Sequence, residues 1–372
     1  MSDNVRIAEI HTSDRVAFKR CRRRWNWTST LRQGRETIQL PIPLWFGSGF
    51  HYALEDFHGY NIYGDPCKAL LAYVLAFRKT PRCQLPEAWE ETTRLGLAMF
   101  EYYKTWIQYF GAMETYYVNG KPQVEVDFKL DLPEEVQAMA RKAGYDRAVY
   151  AGHFDRVVID EYDRLWVQDY KTAKMIKCDH FEGDTQVSAY SWAARKIYNQ
   201  TVGGAIWQQF LKDVPRPALS LQDGSLSTNK QQRVTYITYR ETLKEMYGDV
   251  NKAPQKNIQF LNHLAEVQSD GGDRVIHRDS INRNETFLIN HEKQIIQEAI
   301  DMLNPDTPLY PNQQFTCSWD CPFQVACVSM DDGSDWEFEI ENNTQPRYRE
   351  DSRWRDRLPT LEEVEEYRGK FV

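Results

Sequence analysis

The sequence contains no long apolar run, and this absence excludes several classes of protein. Within its 372 residues there is no stretch of about 18 consecutive apolar residues, so no membrane-spanning helix is predicted. The N-terminus, MSDNVRIAEI, lacks the apolar core of a secretory signal. We therefore expect a cytoplasmic protein that has no membrane partner.

Two further absences restrict the chemistry of the chain. No G-x-x-x-x-G-K-[ST] segment is present, which excludes a P-loop motor or helicase within this chain, and no internal repeat is visible. The chain has seven cysteines, an odd number, and it lacks a secretory signal, so a disulfide framework is not predicted. Thiols that bind a metal or react chemically are the better interpretation.

The charge of the chain is unevenly distributed. The net charge of -8 argues against a protein that coats nucleic acid through bulk charge. Residues 15–35, however, contain eight basic residues, no acidic residue and two interleaved tryptophans. Such a patch can bind a phosphate backbone, here through Arg22, Arg23 and Arg24. The alternative is a basic amphipathic helix that contacts an acidic protein surface.

The apolar periodicity predicts an α/β fold. Helical spacing is found over residues 13–33, with Ser13 as the N-cap, and over 47–60, 66–78 and 87–110. Alternating segments that predict strands follow, and further long helices come after them. Helices on either side of a small mixed sheet define the α/β class.

The stretch GHFDRVVIDEYDRLWVQDYK, which ends at Lys171, predicts a β-hairpin that carries charge where a core would not. If Asp160 pairs with Arg164 across a three-residue loop, facing residue numbers sum to 324 and Asp155 faces Asp169. The Cβ atoms of directly opposed residues lie roughly 4.5 to 5.5 Å apart. Lys171 is two residues beyond Asp169, so it lies on the same face of its strand. Two carboxylates and an ammonium group therefore converge.

This convergence predicts a metal site. Two carboxylates at such a distance repel each other unless a proton or a cation lies between them. Hard oxygen ligands favour Mg²⁺ or Mn²⁺. The alternative is a surface hairpin whose acids and lysine form a solvated ion pair.

Two more patterns lie on predicted helices before and after the hairpin. His51 closes the segment GSGFH at a helix start, and it could supply a nitrogen ligand if that helix packs over the hairpin. A capping or core histidine is the alternative. Gln186 and Tyr190 are four residues apart on a helix, so they share one face. Ordinary amphipathic packing is the alternative for this pair.

The cysteines form the fourth pattern. The run CSWDCPFQVAC holds Cys317, Cys321 and Cys327 within eleven residues, and Cys21 lies in the basic helix. Three closely spaced thiolates with a fourth from elsewhere suit an iron–sulfur cluster or zinc, and free buried cysteines are the alternative. The remaining cysteines lack such neighbours and are interpreted as packing residues: Cys67, Cys83 and Cys178.

In this order, the four patterns resemble the RecB-like branch of the PD-(D/E)XK nuclease superfamily, in particular its iron–sulfur members. These include CRISPR-adaptation exonucleases, the AddB nuclease domain and phage-encoded relatives. The resemblance implies a restriction-endonuclease-like core, a small mixed sheet flanked by helices, with helical insertions and an iron–sulfur staple joining the N- and C-terminal regions. It also implies one nuclease domain over residues 1–330, with a helical insertion at about 60–117 and the cysteine cluster at 317–327, followed by an acidic and polar C-terminal tail at 331–372.

The resemblance also implies a role for individual residues. The implied ligands of Mg²⁺ or Mn²⁺ are His51, Asp155, Asp169 and the backbone carbonyl of Tyr170. Lys171 would orient the attacking water or stabilise charge on the phosphate, Gln186 would position Lys171 or a phosphate oxygen, and Tyr190 would contact DNA. An upstream strand glutamate common in these enzymes would be Glu125.

The implied cofactor is a [4Fe-4S] cluster, with zinc as the alternative. Its ligands would be Cys21, Cys317, Cys321 and Cys327. Three residues separate Cys317 from Cys321, where two are commoner in the relatives, and this departure bears on the cluster type.

The implied activity is that of a metal-dependent DNA nuclease, with an exonuclease favoured. It would act on DNA ends or single strands in recombination, repair or phage DNA processing, with a recombination or helicase partner. The alternative is a DNA-end-binding or assembly module of a recombination or CRISPR-adaptation complex that has little activity of its own. Phosphate chemistry does not distinguish the sugars, so RNA is also open as a substrate.

Overall fold

The computed structural model of the chain has an α/β architecture. A mixed sheet is flanked by helices on both faces, in agreement with the predicted class. The structure describes the following residues: 5–38, 41–78, 86–177, 183–268, 271–347 and 354–371.

The strands share short, β-branched or aromatic sequences, and most of them belong to one sheet. Within the described residues they are β1 (Ile7–Ile10), β2 (Arg35–Thr37), β3 (Glu114–Thr115), β4 (Tyr117–Val118), β5 (Lys121–Pro122), β6 (Val124–Asp131), β7 (Arg147–Ile159), β8 (Leu165–Ala173), β9 (Val202–Leu211), β10 (Ile276–Asn282) and β11 (Thr344–Pro346).

The α-helices of the same residues are α1 (Thr12–Arg20), α2 (Arg22–Thr28), α3 (Ile42–Glu55), α4 (Pro66–Phe77), α5 (Pro86–Phe110), α6 (Glu134–Lys142), α7 (Thr185–Tyr198), α8 (Tyr236–Tyr247), α9 (Gln255–Val267), α10 (Glu285–Leu303), α11 (Cys317–Asp320), α12 (Gln324–Asp332), α13 (Trp336–Asn343) and α14 (Leu361–Arg368). A π-helical turn, Asp56–Tyr60, extends α3. None of the described helices combines the length and the hydropathy needed to cross a bilayer.

The long strand β7 organises the main sheet. One of its edges pairs antiparallel with β6 and β3. Its other edge is shared, because β1 pairs in parallel with Arg147–Tyr150 and β8 pairs antiparallel with Arg156–Ile159. The sheet continues from β8 to β9 in parallel and from β9 to β10 antiparallel. Among the described strands none pairs with residues 151–155 on the shared edge, so the sheet forks there.

The parallel pairing of β8 with β9 requires a crossover, and α7 supplies it. The Asp184 carboxylate caps this helix by accepting hydrogen bonds from the backbone N–H groups of Gln186 and Val187. Val187 and Trp192 of α7 are buried on the sheet. The first turn of α7 therefore lies near the fork.

Helices cover the two faces of the sheet with separate hydrophobic cores. The core on one face includes α1, α6, α7 and α10, which pack on residues such as Val157 and Val167. The core on the other face includes α3, α4 and α5, where Phe50 stacks on Phe100 and contacts Phe210 of β9. Helices α4 and α5 lie in the region 60–117, for which the sequence predicts a helical insertion.

The single helix predicted over residues 13–33 is divided in two. Cys21 is extended, with φ -163° and ψ 112°, and its sulfur accepts a hydrogen bond from the backbone N–H of Arg24. The cysteine thus ends α1 and caps α2. The N-cap of α1 is His11 and not the predicted Ser13.

The sequence predicts an acidic and polar C-terminal tail at 331–372, and the described parts of this segment, 331–347 and 354–371, pack on the rest of the chain. Strand β11 pairs antiparallel with β2, and α14 packs against α4. Trp354 is buried against Tyr52 and Tyr73. The Arg355 guanidinium forms two hydrogen bonds with Glu55 of α3, at 3.1 and 2.7 Å. These contacts therefore hold helix α3 against the C-terminal segment.

We predict that Gly204→Ala destabilises the protein. Gly204 lies on β9 with φ +150°, and an added Cβ would collide with the carbonyl oxygen of Ile281 on β10. Strain and overpacking together should lower the free energy of unfolding by about 2 to 4 kcal/mol. Chemical denaturation checks this value. The control is Gly47→Ala in α3, where nothing lies within 4 Å and stability should rise by up to about 1 kcal/mol. Equal midpoints for both variants would contradict the prediction.

Candidate active site

The central hairpin has the predicted register over Arg156–Ile159, whereas Asp155 and Asp169, which the sequence predicts to face each other, lie beyond the last pair of the ladder. Arg156 pairs with Gln168 and Ile159 with Leu165, so the paired numbers sum to 324. The turn is closed by the backbone N–H of Asp160, which donates to the carbonyl of Arg164 at 3.1 Å. Regular pairing of β7 with β8 ends at Arg156 and Gln168. Asp155 and Asp169, the residues just beyond this pair, line a cleft of about 980 Å³.

The two hairpin acids and the lysine line this cleft together. The Lys171 ammonium lies 2.8 Å from Oδ2 of Asp169. The Asp155 carboxylate accepts a hydrogen bond of 2.8 Å from the backbone N–H of Tyr170. Both aspartates are almost fully buried. The hairpin thus holds two carboxylates in a small, poorly solvated space.

Helix α3 brings His51 to the same place. Its Nδ1 lies 3.5 Å from Oδ2 of Asp155 and 4.0 Å from Oε1 of Glu125. Its Nε2 lies 2.8 Å from the carbonyl oxygen of Tyr170. A histidine that binds a metal usually donates its other ring N–H to such an oxygen, which orients the ring. The carbonyl oxygen of Tyr170, which the sequence predicts as a metal ligand, lies on the Nε2 side of the ring, away from the carboxylates that Nδ1 faces.

Glu125 of β6 completes a group of three ligands. Its backbone has φ +46°, which is uncommon for a residue other than glycine. The β6–β7 ladder pairs Val124 with Arg156 and Val126 with Phe154, and Glu125 between them has no ladder partner. Among the described residues, the only group with three such ligand atoms within 4.8 Å of one another is His51, Glu125 and Asp155.

These spacings fit a small divalent cation. Bonds of about 2.1 Å place adjacent ligand atoms of an octahedron about 3 Å apart and opposite ones about 4.2 Å apart. The distances of 3.5 and 4.0 Å from His51 to Asp155 and Glu125 lie within that range. One imidazole and two carboxylates also match the donors that Mg²⁺ and Mn²⁺ accept.

Gln186 and Tyr190 of α7 face the cleft from the other side. Gln186 Nε2 donates a hydrogen bond of 2.8 Å to Oδ1 of Asp169. Tyr190 packs edge-on against Phe128 and Phe154. The carboxylate of Asp169 is therefore held by Lys171 on one oxygen and by Gln186 on the other, and each oxygen retains a lone pair for a metal.

The protonation preferences reflect the crowding of charge. Burial and the charge of Asp155 raise the pKa of Asp169 to about 6, although the Lys171 ammonium opposes the rise. Burial lowers the pKa of His51, but the charges of Asp155 and Glu125 outweigh burial and raise it to about 9. Burial disfavours the Asp155 carboxylate, yet His51 and Lys171 hold its pKa well below the usual range. The acids therefore attract positive charge, which a metal ion would supply once the histidine loses its proton.

Two residues of the site were not assigned from the sequence pattern itself. Only the family resemblance predicts Glu125 as a site residue, because one glutamate in an alternating strand does not by itself indicate a metal ligand. His153 was not assigned at all, although it lies two residues before Asp155 and so shares a strand face with it. Its Nε2 lies 3.0 Å from Glu125 and 3.8 Å from Asp155.

The predicted substrate-binding residues Arg22, Arg23 and Arg24 have different surroundings in the structure. Consecutive helical residues point about 100° apart, so the three side chains of α2 diverge. Arg24 lines the cleft. Arg22 lies over the rings of Phe18 and Tyr310, and Arg23 pairs with Asp331 at 2.7 Å. Arg20, Lys129 and Arg347 also line the cleft, together with Lys171 of the hairpin.

The four cysteines of the predicted cluster lie in one neighbourhood. Burial raises the pKa of the Cys321 thiol, Arg24 lowers it, and the charges of Cys317 and Cys21 raise it. Backbone N–H groups of Arg24 and Asn312 donate to the sulfur of Cys21, at 3.5 and 3.4 Å. Three other cysteines are predicted to be packing residues. Of these, Cys67 is buried in the core of α3, α4 and α5, whereas Cys83 and Cys178 lie outside the described residues.

A family model described as the PD-(D/E)XK nuclease superfamily matches residues 13–328, which is most of the chain. No curated protein matches the chain.

We predict that Glu125→Gln weakens divalent-cation binding about tenfold or more, because it removes one negative charge from the group of three ligands. Isothermal titration with Mn²⁺ measures the affinity, and far-UV circular dichroism checks the fold. The matched control is Asp127→Asn on the same strand, because the Asp127 side chain is 92% exposed. An unchanged affinity in Glu125→Gln would rule Glu125 out as a ligand.

Proposed function

Because the chain belongs to the PD-(D/E)XK nuclease superfamily, we propose that it is a Mg²⁺- or Mn²⁺-dependent deoxyribonuclease that hydrolyses phosphodiester bonds. The observation that carries this proposal is the convergence of Asp155, Asp169 and Lys171 with His51 at the fork of the sheet. The acids and the lysine of the D-x-K pattern are all present, which favours an active enzyme over a binding module.

The proposed metal ligands come from three elements that meet at the fork. They are His51 of α3, Glu125 of β6, and Asp155, Asp169 and the carbonyl of Tyr170 from the hairpin. A bound divalent cation would polarise the scissile phosphate and lower the pKa of the attacking water.

Lys171 is proposed to orient the attacking water or to stabilise negative charge that develops on the phosphate. Burial lowers its pKa, but the charges of Asp169 and Asp155 outweigh burial and raise it, so the side chain remains an ammonium group. Its contact of 2.8 Å with Asp169 fixes its position. Gln186 supports this role indirectly, since it holds the other oxygen of the same carboxylate.

The proposed substrate is single-stranded DNA or a DNA end, and an exonuclease is favoured. Arg20 and Arg24 line the cleft and would contact the phosphate backbone. Beside them, Phe315 is 87% exposed, Trp319 is 63% exposed, and their ring centroids are 4.8 Å apart. Arg20 donates a hydrogen bond to the hydroxyl of Thr316, which follows Phe315 in the sequence. Exposed aromatic rings beside a basic groove suit the stacking of unpaired bases. Tyr190 would contact the DNA within the cleft.

We predict that Asp169→Asn and Lys171→Ala each reduce cleavage by about 10²- to 10³-fold or more, because each removes charge that acts on the reacting phosphate. The assay uses 5′- and 3′-labelled single- and double-stranded DNA, with RNA as a further substrate, and compares Mg²⁺, Mn²⁺ and EDTA. Release of short products from one labelled end would support an exonuclease and give its polarity.

The control for these variants is Asp163→Asn at the tip of the same hairpin, where φ is +57° and asparagine is well tolerated. This variant should cleave DNA as the wild type does. Wild-type protein that binds DNA ends without cleaving them would favour the alternative, an assembly module of a recombination or CRISPR-adaptation complex. Full activity in both site variants would overturn the assignment.

A [4Fe-4S] cluster is proposed on Cys21, Cys317, Cys321 and Cys327, as a staple within one nuclease domain. Closing a loop of nearly 300 residues costs on the order of 5 kcal/mol in chain entropy, and four metal–thiolate bonds would offset this cost. N–H groups that point at the sulfurs are typical of such clusters: Arg23 Nη1 lies 3.3 Å from Cys327 Sγ. Tetrahedral zinc would need all four sulfurs within about 4 Å of one another. Zinc and the larger iron–sulfur cluster therefore require different spacings between the sulfurs.

We predict that anaerobically purified protein is brown, with absorption near about 400 nm and about four iron atoms per chain. Cys21→Ser and Cys321→Ser should lose iron and colour and should unfold at lower temperature. Cys67→Ala, in a different core, should keep its iron. Colourless protein with stoichiometric zinc would refute the iron–sulfur assignment.

A further inference from the structure

A smaller pocket, here called the side pocket, lies between the first turn of α7 and helix α10. Its volume is about 390 Å³, at the lower end of the range of roughly 300 to 1,000 Å³ that is usual for sites of small ligands. Asp184 and Thr185 line both the side pocket and the cleft. Gln186 faces the cleft and Ser188 faces the side pocket, so the two spaces lie on opposite sides of one helix end.

One stripe of helix α10 lines the side pocket. Its residues are spaced i, i+3, i+4 and i+7, so they share one face of the helix: Phe287, Asn290, His291 and Gln294. The Phe287 side chain is 42% exposed, and Asn290 and Gln294 are also exposed. The stripe therefore offers one aromatic ring and two amide groups to a molecule in the pocket.

Buried side chains position this stripe. Nη1 of Arg15 donates to Nε2 of His291 at 3.2 Å, so that nitrogen is an acceptor and the imidazole is neutral. In agreement, burial and the nearby cationic side chains lower the pKa of His291 to about 3. The Arg283 guanidinium donates to the hydroxyl of Ser188 at 2.9 Å and lies 4.5 Å from the centre of the Phe287 ring. The imidazole and the ring are therefore oriented without a ligand, which lowers the cost of binding one.

We propose that the side pocket binds one unpaired nucleobase of the DNA strand whose backbone lies in the cleft, an inference that rests on the proposed nuclease function. Among the described residues of its lining there is no lysine or arginine, and the one acid, Asp184, caps α7. The pocket therefore does not suit a phosphate group. A ring on which a base can stack, beside amides that can hydrogen-bond to the edge of the base, suits an uncharged heterocycle.

The separation between the cleft and the side pocket suits a single strand. A helix with its side chains is about 10 to 12 Å across, and stacked nucleotides advance about 3.4 Å along one strand. A strand with one phosphate at Lys171 would therefore reach Phe287 about three nucleotides further on. A base in the side pocket cannot also be paired in a duplex, since it has left the stack. The side pocket thus favours single-stranded over double-stranded DNA.

Photocrosslinking tests the position of the base without a measurement of activity. Full-length protein in EDTA and full-length Asp169→Asn in Mg²⁺ are two conditions that suppress cleavage. Each is irradiated with single-stranded DNA that carries one iodouracil at a defined distance from its end, and mass spectrometry identifies the crosslinked residue. We expect a crosslink to Phe287 from a narrow range of iodouracil positions. Absence of any crosslink to residues 283–294 in both conditions would overturn the proposal.

The affinity for single-stranded DNA, measured by fluorescence anisotropy, gives a second test. Phe287→Ala should weaken binding about tenfold because it removes the stacking surface, whereas Phe287→Tyr should keep the wild-type affinity. An abasic site at the position that crosslinks should weaken binding to the wild type by a similar factor and to Phe287→Ala only slightly. The matched control is Ile289→Ala, because Ile289 is 44% exposed on α10 but lines a different groove. Its affinity should be unchanged.

These outcomes separate the side pocket from the nuclease itself. Because Phe287 is 42% exposed, its truncation should leave the fold intact, and thermal unfolding checks this. If the wild type cleaves DNA and Phe287→Ala binds DNA as tightly as the wild type, the side pocket is overturned and the proposed nuclease stands. Wild-type protein that neither binds nor cleaves DNA would overturn both.

Discussion

Repulsion between carboxylates in a poorly solvated space is the constraint on which the centre of this structure depends. Asp155, Asp169 and Glu125 approach one another where the sheet forks, and each is held by a cationic or N–H partner on β7 or β8. Because a charge buried without a partner is costly, these partners cannot be removed independently of one another. The fork, the helices beside it and the hairpin therefore form one electrostatic unit.

The topology of the sheet produces this unit. On one edge, β7 pairs with β1 through Arg147–Tyr150 and with β8 through Arg156–Ile159. Among the described strands, none pairs on that edge with the residues in between. Helix α3 approaches the opening from one face and α7 from the other, so histidine and glutamine reach the same carboxylates from opposite sides. Pairing of β1 in parallel with Arg147–Tyr150 sets one end of this opening.

Features set by near neighbours could be predicted from the sequence, and features set by distant parts of the chain could not. The hairpin register follows from a short turn whose Asp160 accepts hydrogen bonds from Tyr162 and Arg164, so local chemistry was sufficient. The shared face of Gln186 and Tyr190 follows from helical geometry alone. In contrast, the division of the basic helix at Cys21 depends on contacts with residues near 312, and Arg23 turns toward Asp331. The packing of Trp354 on α3 likewise has no signal in local periodicity.

The pairing of β2 with β11 also affects the order in which the protein can be completed during synthesis. Arg35 and its partner Thr344 are 309 positions apart in the chain. At a translation rate of about 5 to 20 residues per second, roughly 15 to 60 s separate their appearance at the ribosome. Throughout that interval the arginine- and tryptophan-rich N-terminal segment exists without the C-terminal residues that cover it. The nascent chain therefore exposes a basic, aromatic surface that the folded protein covers. The N-terminal segment can associate with the C-terminal region only after that region has been synthesised.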